Sequence, residues 1–258
     1  MEIKSRKRLL IRAFLQVISV IWKIYSALIL LLTLLLFYPV YILLLQNEKT
    51  FKAGFRVIRF HSALILTLIG IRPRVKFEGA LPKGGFIICP NHTSYLDILL
   101  LYRVFSDYFI FIGKRELETD RTFSIFFKKM NILVKRDSAM DGMRALNRAA
   151  HEMAKGTSVV IFPEGTIPEH APALSPFKNG PFKLAIKEQL PIVPVTFINV
   201  YKLLQIGAFL KRRGKPGNAH IVVNKAVYTE GLSQSDVITL RDAVFNTIES
   251  TIRANTGN

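Results

Sequence analysis

Hydrophobic positions are distributed unevenly along this chain of 258 residues. A long uncharged run covers residues 24–45 and is mostly aliphatic. As a helix rising about 1.5 Å per residue it would be roughly 33 Å long, enough to cross the hydrocarbon core of a bilayer. The run is too long for a signal peptide, and no small-residue cleavage site follows it. We therefore expect residues 1–71 to form an N-terminal, membrane-anchoring helical segment.

Basic residues flank this run on both sides, and such residues normally stay on the cytoplasmic face. A single span would place one of the two clusters on the opposite face. The next apolar run, residues 63–71, is too short to cross back, and Pro39 can kink a helix. The pattern favours a hairpin or tilted helix that dips into one leaflet, with the globular part on the cytoplasmic face. A plain single-pass anchor is the alternative.

From residue 72 onwards, short β-rich runs alternate with helical patterns. The predicted strands are 74–78, 86–89, 108–112, 131–135, 158–162, 192–197 and 219–224. The predicted helices lie near 95–105, 122–130, 138–155, 180–188 and 233–253. Alternation of this kind is typical of α/β proteins. We expect residues 72–258 to form an α/β domain with a mixed, largely parallel sheet flanked by helices.

The charge narrows the choice of partners. The chain has 36 Lys and Arg against 18 Asp and Glu, a formal net charge of +18. Such a balance favours anionic partners. The N-terminal hydrophobic block and the absence of zinc-finger or RNA-binding signatures argue against nucleic acid. An anionic membrane surface and a phosphorylated substrate are the better interpretation.

The cysteine and histidine residues argue against a disulfide, a cysteine nucleophile and a metal site. The single cysteine, Cys89, lies in a short apolar run, so we expect an inert core residue and no disulfide within the chain. Four histidines are scattered without the paired spacing of a metal site, and no metal is expected. These are His61, His151, His170 and His220.

His92 and Asp97 are the first candidates for catalysis. They follow the predicted strand 86–89, and on a straight helix they would lie about 140° apart. They can meet if His92 sits in the turn and Asp97 in the first helical turn, with Thr93 or Ser94 as the cap. A carboxylate on one ring nitrogen fixes the imidazole tautomer, and the other nitrogen can then act as a base. The structural alternative is an ordinary turn with an aspartate at a helix N-terminus.

Glu164 and Gly165 are the second candidates, at the end of the predicted strand 158–162. Glu164 could face the same crevice, because ligands bind at the carboxyl ends of strands in open α/β sheets. Gly165 would let a ligand approach the backbone closely. An ordinary strand-to-loop turn is the alternative.

Together the two motifs resemble the glycerolipid acyltransferase family, of the 1-acylglycerol-3-phosphate O-acyltransferase type. The resemblance rests on Asn-His-x-x-x-x-Asp at 91–97 and Phe-Pro-Glu-Gly-Thr at 162–166, and it covers roughly residues 72–225. Gly-Lys-Arg-Glu-Leu at 113–117 with Val-Lys-Arg at 134–136, Phe-Lys-Asn-Gly at 177–180, and Leu-Pro-Ile-Val-Pro-Val at 190–195 are similar to further family blocks.

The resemblance implies that His92 and Asp97 are the catalytic dyad and that the Glu-Gly block binds the acceptor. The implied substrate-binding residues are Asn91, Ser94, Lys114, Arg136, Glu164, Gly165, Thr166 and Lys178. No cofactor is expected, and acyl-CoA or acyl carrier protein would serve as co-substrate.

Two departures from the family pattern concern the acceptor. The chain has Ile167 where family members usually carry an arginine that contacts the acceptor phosphate, and the usual Pro and Gly are absent from 118–130. Losing that arginine removes a charge-assisted contact, which Arg136, Lys178 or Lys183 would have to replace.

The sequence thus predicts a membrane-bound acyltransferase that moves a fatty-acyl group onto a lysophospholipid hydroxyl. The expected acceptor is 1-acylglycerol-3-phosphate, which would give phosphatidic acid. Another lysophospholipid or a lyso-aminolipid is the alternative acceptor. A non-catalytic membrane-binding protein and a lipid hydrolase are the readings from other classes.

Overall fold

A computed structural model of the chain describes residues 2–119, 124–127, 129–135 and 138–256, with side chains from residue 11 onwards. The helices are α1 (Glu2–Leu44), α2 (Phe51–Leu68), α3 (Leu96–Val104), α4 (Ser124–Phe127), α5 (Ala139–Ala154), α6 (Gly180–Lys187), α7 (Val200–Leu203) and α8 (Val237–Thr256). The strands are β1 (Ile71–Phe77), β2 (Ile87–Pro90), β3 (Phe109–Lys114), β4 (Ile132–Val134), β5 (Ser158–Val160), β6 (Ile192–Phe197) and β7 (Gly217–Val223).

These strands form one sheet in the order β1-β7-β6-β2-β5-β3-β4. The five strands from β6 to β4 run parallel, whereas β7 is antiparallel to β6, and β1 is parallel to β7. The predicted mixed, largely parallel sheet flanked by helices is therefore confirmed. The central strand β2 is buried along its whole length, as expected for a strand covered on both faces.

Each face of the sheet carries its own hydrophobic core, because neighbouring residues of a strand point to opposite sides. Ile88 and Val160 belong to the core shared with α2 and α3. Ile87 and Val159 belong to the core shared with α5, α6 and α8. The α2 helix is thus part of the same packed core as the sheet. The predicted division at residues 71 and 72 falls inside β1 and stays a prediction.

The N-terminal helix is longer than the apolar run that predicted it. α1 has 43 residues and contains Pro39, and its apolar stretch Ile11–Leu44 is long and apolar enough to cross a bilayer, with a mean hydropathy of 2.6. α2 packs antiparallel against it. The Trp22 indole N–H donates to the Ile69 carbonyl at 3.0 Å, and Tyr41 Oη lies 2.6 Å from His61 Nδ1.

The sequence prediction included α2 in the helical segment 1–71 but did not separate it as a helix of its own, and it singled out only the apolar run 63–71. Charged residues interrupt the hydrophobic pattern before that run, at Lys52, Arg56 and Arg59. Their spacing of four and three places them on one side of a helix. The other side carries Phe55 and Ile58, which are buried in the core.

Parallel strands bring their carboxyl ends to one edge of the sheet. The loop after β2 carries His92, the loop after β5 carries Glu164, and β3 ends at Lys114. This carboxyl edge is where ligands bind in open α/β sheets.

Candidate active site

Asp97 organises the loop between β2 and α3. It is fully buried, and its Oδ2 accepts hydrogen bonds from the backbone N–H groups of Thr93 at 2.6 Å and Ser94 at 2.9 Å. Its Oδ1 accepts the Thr93 hydroxyl at 3.1 Å. A carboxylate in the first turn of a helix also gains from the positive end of the helix dipole. The loop therefore wraps around Asp97.

His92 lies at the start of this loop, outside the helix, and contacts the same carboxylate. Its Nδ1 is 2.9 Å from Asp97 Oδ2, and the side chain is 14% exposed. A carboxylate only accepts hydrogen bonds, so Nδ1 carries the proton and Nε2 carries the lone pair. Nε2 has no hydrogen-bond partner among the residues that the structure describes. The Phe162 ring stacks on the imidazole with centroids 4.0 Å apart.

Glu164 supports the histidine from the neighbouring strand loop. Its Oε1 accepts the His92 backbone N–H at 2.8 Å, and its Oε2 accepts the Ser175 N–H at 2.8 Å. Burial raises the pKa of Glu164 to about 7; the two backbone hydrogen bonds oppose the shift, and the charge of Asp97 adds to it. Glu164 thus holds the backbone of the histidine in place.

Gly165 brings a lysine side chain close to this loop. Its φ of +73° favours glycine, and a Cβ there would lie 3.0 Å from both Cε and Nζ of Lys178. The Lys178 backbone N–H donates to the Pro163 carbonyl at 2.9 Å. The ammonium group of Lys178 is therefore placed directly beside Gly165.

Asn91 and Ser94, which were expected to bind substrate, are fully buried and bonded within the fold. The Asn91 amide donates to the Phe197 carbonyl at 3.1 Å and accepts the Phe197 N–H at 2.7 Å. The Ser94 hydroxyl donates to the Leu204 carbonyl at 2.9 Å and accepts the Leu96 N–H at 3.3 Å. Neither side chain is open, so both help to hold the active-site loop in place, and their predicted contact with substrate stays a prediction.

The remaining expected residues are less closely tied to the dyad. Lys114 forms an exposed ion pair with Glu116 at 3.1 Å. Thr166 is exposed next to Gly165. Arg136 lies outside the described residues. Ile167, at the position of the family arginine, is partly buried.

Three contributors to the site were not predicted in the roles that the structure gives them. Thr93 supplies two of the donors to Asp97, Phe162 stacks on the imidazole, and Ser175 supplies the second donor to Glu164. Phe162 belongs to the motif at 162–166, so the sequence could have predicted that it lies near Glu164 in the site. Ser175 lies in an irregular loop whose path the sequence does not predict.

The site contains a base, and Cys89 is not available as a nucleophile. Cys89 is completely buried, and burial raises the pKa of its thiol far above the usual range. No group of three or more His, Cys, Asp or Glu side chains suited to a metal ion occurs within the described part of the chain. The arrangement can remove a proton from a hydroxyl that a substrate brings.

The chain is similar to known acyltransferases. A family model described as Acyltransferase matches residues 72–198. The 1-acyl-sn-glycerol-3-phosphate acyltransferase alpha of Mus musculus is 31% identical over 180 residues, which cover 69% of this chain and 62% of the mouse protein. The Homo sapiens protein of the same name is 28% identical over 201 residues, covering 77% of this chain and 70% of the human protein.

A solved structure shares the fold. The crystal structure of the 1-acyl-sn-glycerophosphate (LPA) acyltransferase PlsC from Thermotoga maritima aligns with a TM-score of 0.71. The alignment covers 92% of this chain and 98% of the other, at 24% identity. The structural similarity therefore extends over nearly the whole chain.

Proposed function

We propose that this chain is a membrane-bound O-acyltransferase of the family whose model it matches, acting on a lysophospholipid with 1-acylglycerol-3-phosphate as the acceptor. One observation carries the proposal: His92 and Asp97 are hydrogen-bonded at 2.9 Å, and Nε2 is unpartnered among the described residues. The names of the mouse and human relatives supply the acceptor.

The reaction that this geometry supports is a direct transfer. His92 Nε2 takes the proton of the lysolipid hydroxyl, and the oxygen attacks the thioester carbonyl carbon. Asp97 holds Nδ1–H and stabilises the imidazolium that forms. The tetrahedral intermediate then collapses, the C–S bond breaks, and the leaving thiolate takes the proton back from the imidazolium. The products are a diacyl lipid and a free thiol.

The acceptor phosphate needs a cation near the dyad, and we assign this role to Lys178. Its ammonium group lies against Gly165, next to the glutamate that holds His92. A single ammonium is a point charge, whereas the family arginine replaced by Ile167 would offer a bidentate contact. This difference favours a second candidate acceptor, a lysophospholipid with a fuller headgroup or a lyso-aminolipid.

The donor is acyl-CoA or acyl carrier protein. Both carry a phosphopantetheine thioester, and both present negative charge to a basic surface. An open depression beside β4 and α5 is lined by Arg115, Arg144 and Arg148, with Asp141 paired to Arg115 at 2.8 Å. We assign the donor's anionic groups to this depression.

The contacts of α1 support a proposed placement at the membrane. Ser19 and Tyr41, which are roughly 33 Å apart along the helix, both contact the globular part. Ser19 accepts the Gly214 N–H at 2.6 Å, and Tyr41 packs against Phe126. A helix attached to one domain at both places lies along that domain. We propose that its apolar side dips into one leaflet, on the cytoplasmic face.

The test is acyl transfer by the purified full-length protein, with a panel of lysolipids and both donors. His92→Ala should lower the rate about 10²- to 10⁴-fold, because general-base catalysis contributes that much. His151→Ala is the matched control, since His151 is exposed on α5 and should leave the rate unchanged.

The outcomes separate the candidates. Transfer to lysophosphatidate alone rules out the second acceptor class. Fatty acid released from the donor without acceptor would support a hydrolase instead. A folded His92→Ala protein with near-normal transfer would overturn the proposed chemistry.

A further inference from the structure

A hairpin loop next to the site has no role in the chemistry. Leu204 and Gly214 form an antiparallel bridge, and the Gln205 N–H donates to the Arg213 carbonyl at 3.0 Å. We call residues 204–214 the 204–214 hairpin. It begins at the active-site loop, because the Leu204 carbonyl accepts the buried Ser94 hydroxyl.

The 204–214 hairpin is bonded to α1 through its backbone. Gln16 Nε2 donates to the Leu210 carbonyl at 2.5 Å, and Gly214 N–H donates to Ser19 Oγ at 2.6 Å. Lys23, only 5% exposed, donates to the carbonyls of Phe209 and Arg212. Gln16, Ser19 and Lys23 lie three and four residues apart, so they form one polar stripe on α1. The side of α1 away from this stripe is apolar and exposed.

The outer surface of the hairpin combines apolar and basic side chains. Phe209 is 50% exposed and Leu210 is 68% exposed. The next three residues, Lys211, Arg212 and Arg213, are also exposed, and none of them forms an ion pair with a described residue. The hairpin backbone bonds to the polar stripe of α1, and the Phe209 ring lies over the Lys23 ammonium group at 4.6 Å, so these side chains are exposed beside α1.

We propose that the 204–214 hairpin is a second membrane contact, in which Phe209 and Leu210 enter the interface and the three cations bind anionic lipid headgroups. The inference rests on the proposed membrane placement of α1. Exposed aromatic and aliphatic side chains beside Lys and Arg are the composition of interfacial segments. Each cation near an anionic surface strengthens the attachment roughly fivefold. The contact would bring charged lipid to the rim of the active site.

The test uses an environment-sensitive NBD label at Leu210→Cys in the full-length protein. Cys89 is fully buried, so a thiol reagent labels the introduced cysteine selectively. The protein is reconstituted in phosphatidylcholine vesicles, with or without one third phosphatidylglycerol. We expect brighter, blue-shifted emission and quenching by doxyl lipid in the vesicles that contain phosphatidylglycerol. The same label at Lys155→Cys, beyond the amino ends of the strands, should report water.

The charge requirement is tested in the same labelled protein. Replacing Lys211, Arg212 and Arg213 by Gln should weaken docking of the hairpin on the order of a hundredfold and return the label to water. The matched control removes the same charge from the opposite edge of the sheet, through Lys83→Gln, Lys155→Gln and Lys187→Gln, and should leave the signal unchanged. Both triple variants should transfer acyl groups normally in detergent micelles.

A label at Leu43→Cys separates the two proposals. Leu43 is 74% exposed on α1. If the Leu43 label is quenched by doxyl lipid and the Leu210 label is not, the hairpin proposal is overturned and the membrane placement stands. If neither is quenched, both are overturned. Lost activity of the hairpin triple variant in micelles would show a role in folding or chemistry and would also overturn the proposal.

Discussion

Asp97 and Glu164 are both buried carboxylates of the active site, and each acts on a different part of His92. Asp97 accepts hydrogen bonds from the imidazole and from three donors of Thr93 and Ser94. Glu164 bonds to the backbone N–H of the histidine and joins it to a second loop at Ser175. The orientation of the ring and the position of its backbone therefore depend on different carboxylates.

Substitutions of Asp97 should separate catalysis from stability. Asp97→Asn keeps an oxygen that can accept the N–H groups of Thr93 and Ser94, but it lacks the charge that stabilises the imidazolium. We expect acyl transfer to fall about 10²- to 10⁴-fold with a nearly unchanged melting temperature. Asp97→Ala leaves those donors buried and unpaired, which should cost about 3 kcal/mol of unfolding free energy. Equal melting temperatures for the two variants would contradict this division.

The raised pKa of Glu164 makes stability depend on pH. Between its ordinary value of 4.5 and about 7, the folded chain holds a proton that the unfolded chain has released. The contribution is therefore greatest below pH 4.5 and is lost as the pH rises to about 7. The loss amounts to about 3 kcal/mol.

Denaturant unfolding of the wild type and Glu164→Gln, compared between pH 4.5 and 7.5, measures this loss. The glutamine cannot titrate, so the stability difference between the two proteins should shift in favour of the variant as the pH rises. Parallel pH profiles would show that Glu164 has an ordinary pKa.

At the scale of elements, the packing of α5 against the start of β2 depends on Gly85, which has no side chain. A Cβ on Gly85 would lie 2.9 Å from the Met153 carbonyl oxygen and 3.0 Å from the Thr157 carbonyl oxygen. Both neighbours are backbone atoms, which cannot move aside as a side chain can. The end of α5 therefore packs directly on the segment that leads into β2.

Two alanine substitutions should affect stability in opposite directions. Gly85→Ala should lower the unfolding free energy by about 2 kcal/mol, because the added methyl group overpacks the contact with α5. Gly142→Ala on α5 has nothing within 4 Å of the added Cβ and should raise the unfolding free energy by up to about 1 kcal/mol. Thermal unfolding in detergent measures both. Destabilisation by Gly142→Ala, or none by Gly85→Ala, would contradict the packing argument.

The elements were more predictable from the sequence than the contacts between them. All seven strands lie within a few residues of their predicted positions, because continuous apolar runs bounded by loop residues mark buried strands. α2 was not recognised as a separate helix, because its charged side interrupts the apolar pattern. The resemblance to the family is confirmed. Asn91 and Ser94, however, are buried and hydrogen-bonded within the fold, which the sequence did not indicate. Which polar side chains face a ligand depends on the path of distant loops, such as the one that carries Ser175.

At the scale of the whole molecule, α1 and α2 form an antiparallel pair that lies along the globular part. Tyr25 Oη donates to the Leu68 carbonyl at 3.0 Å, and Phe37 stacks on His61 at 4.5 Å. The basic residues at both ends of α1 then need not be separated by a bilayer. The arrangement favours the leaflet-dipping anchor over the single-pass anchor, the two alternatives that the charge pattern left open.

Cysteine labelling with a membrane-impermeant maleimide tests this topology. In sealed vesicles, Ser5→Cys and Lys49→Cys flank α1, and both should react from the side that labels Lys155→Cys in the globular part. A single-pass anchor would protect Ser5→Cys until the vesicles are opened. Cys89 should stay unreactive in all three variants, because it is fully buried.

The packing of α2 also bears on the order in which the protein is made. Phe55 of α2 contacts Tyr102, Tyr108 and Phe109, which are synthesised about fifty residues later. The hydrophobic side of α2 therefore leaves the ribosome before the aromatic residues that cover it. An exposed hydrophobic surface of this kind is prone to aggregate in water. We therefore expect α2 to need shelter from water, by lipid or by a chaperone, until the residues that bury it have been synthesised.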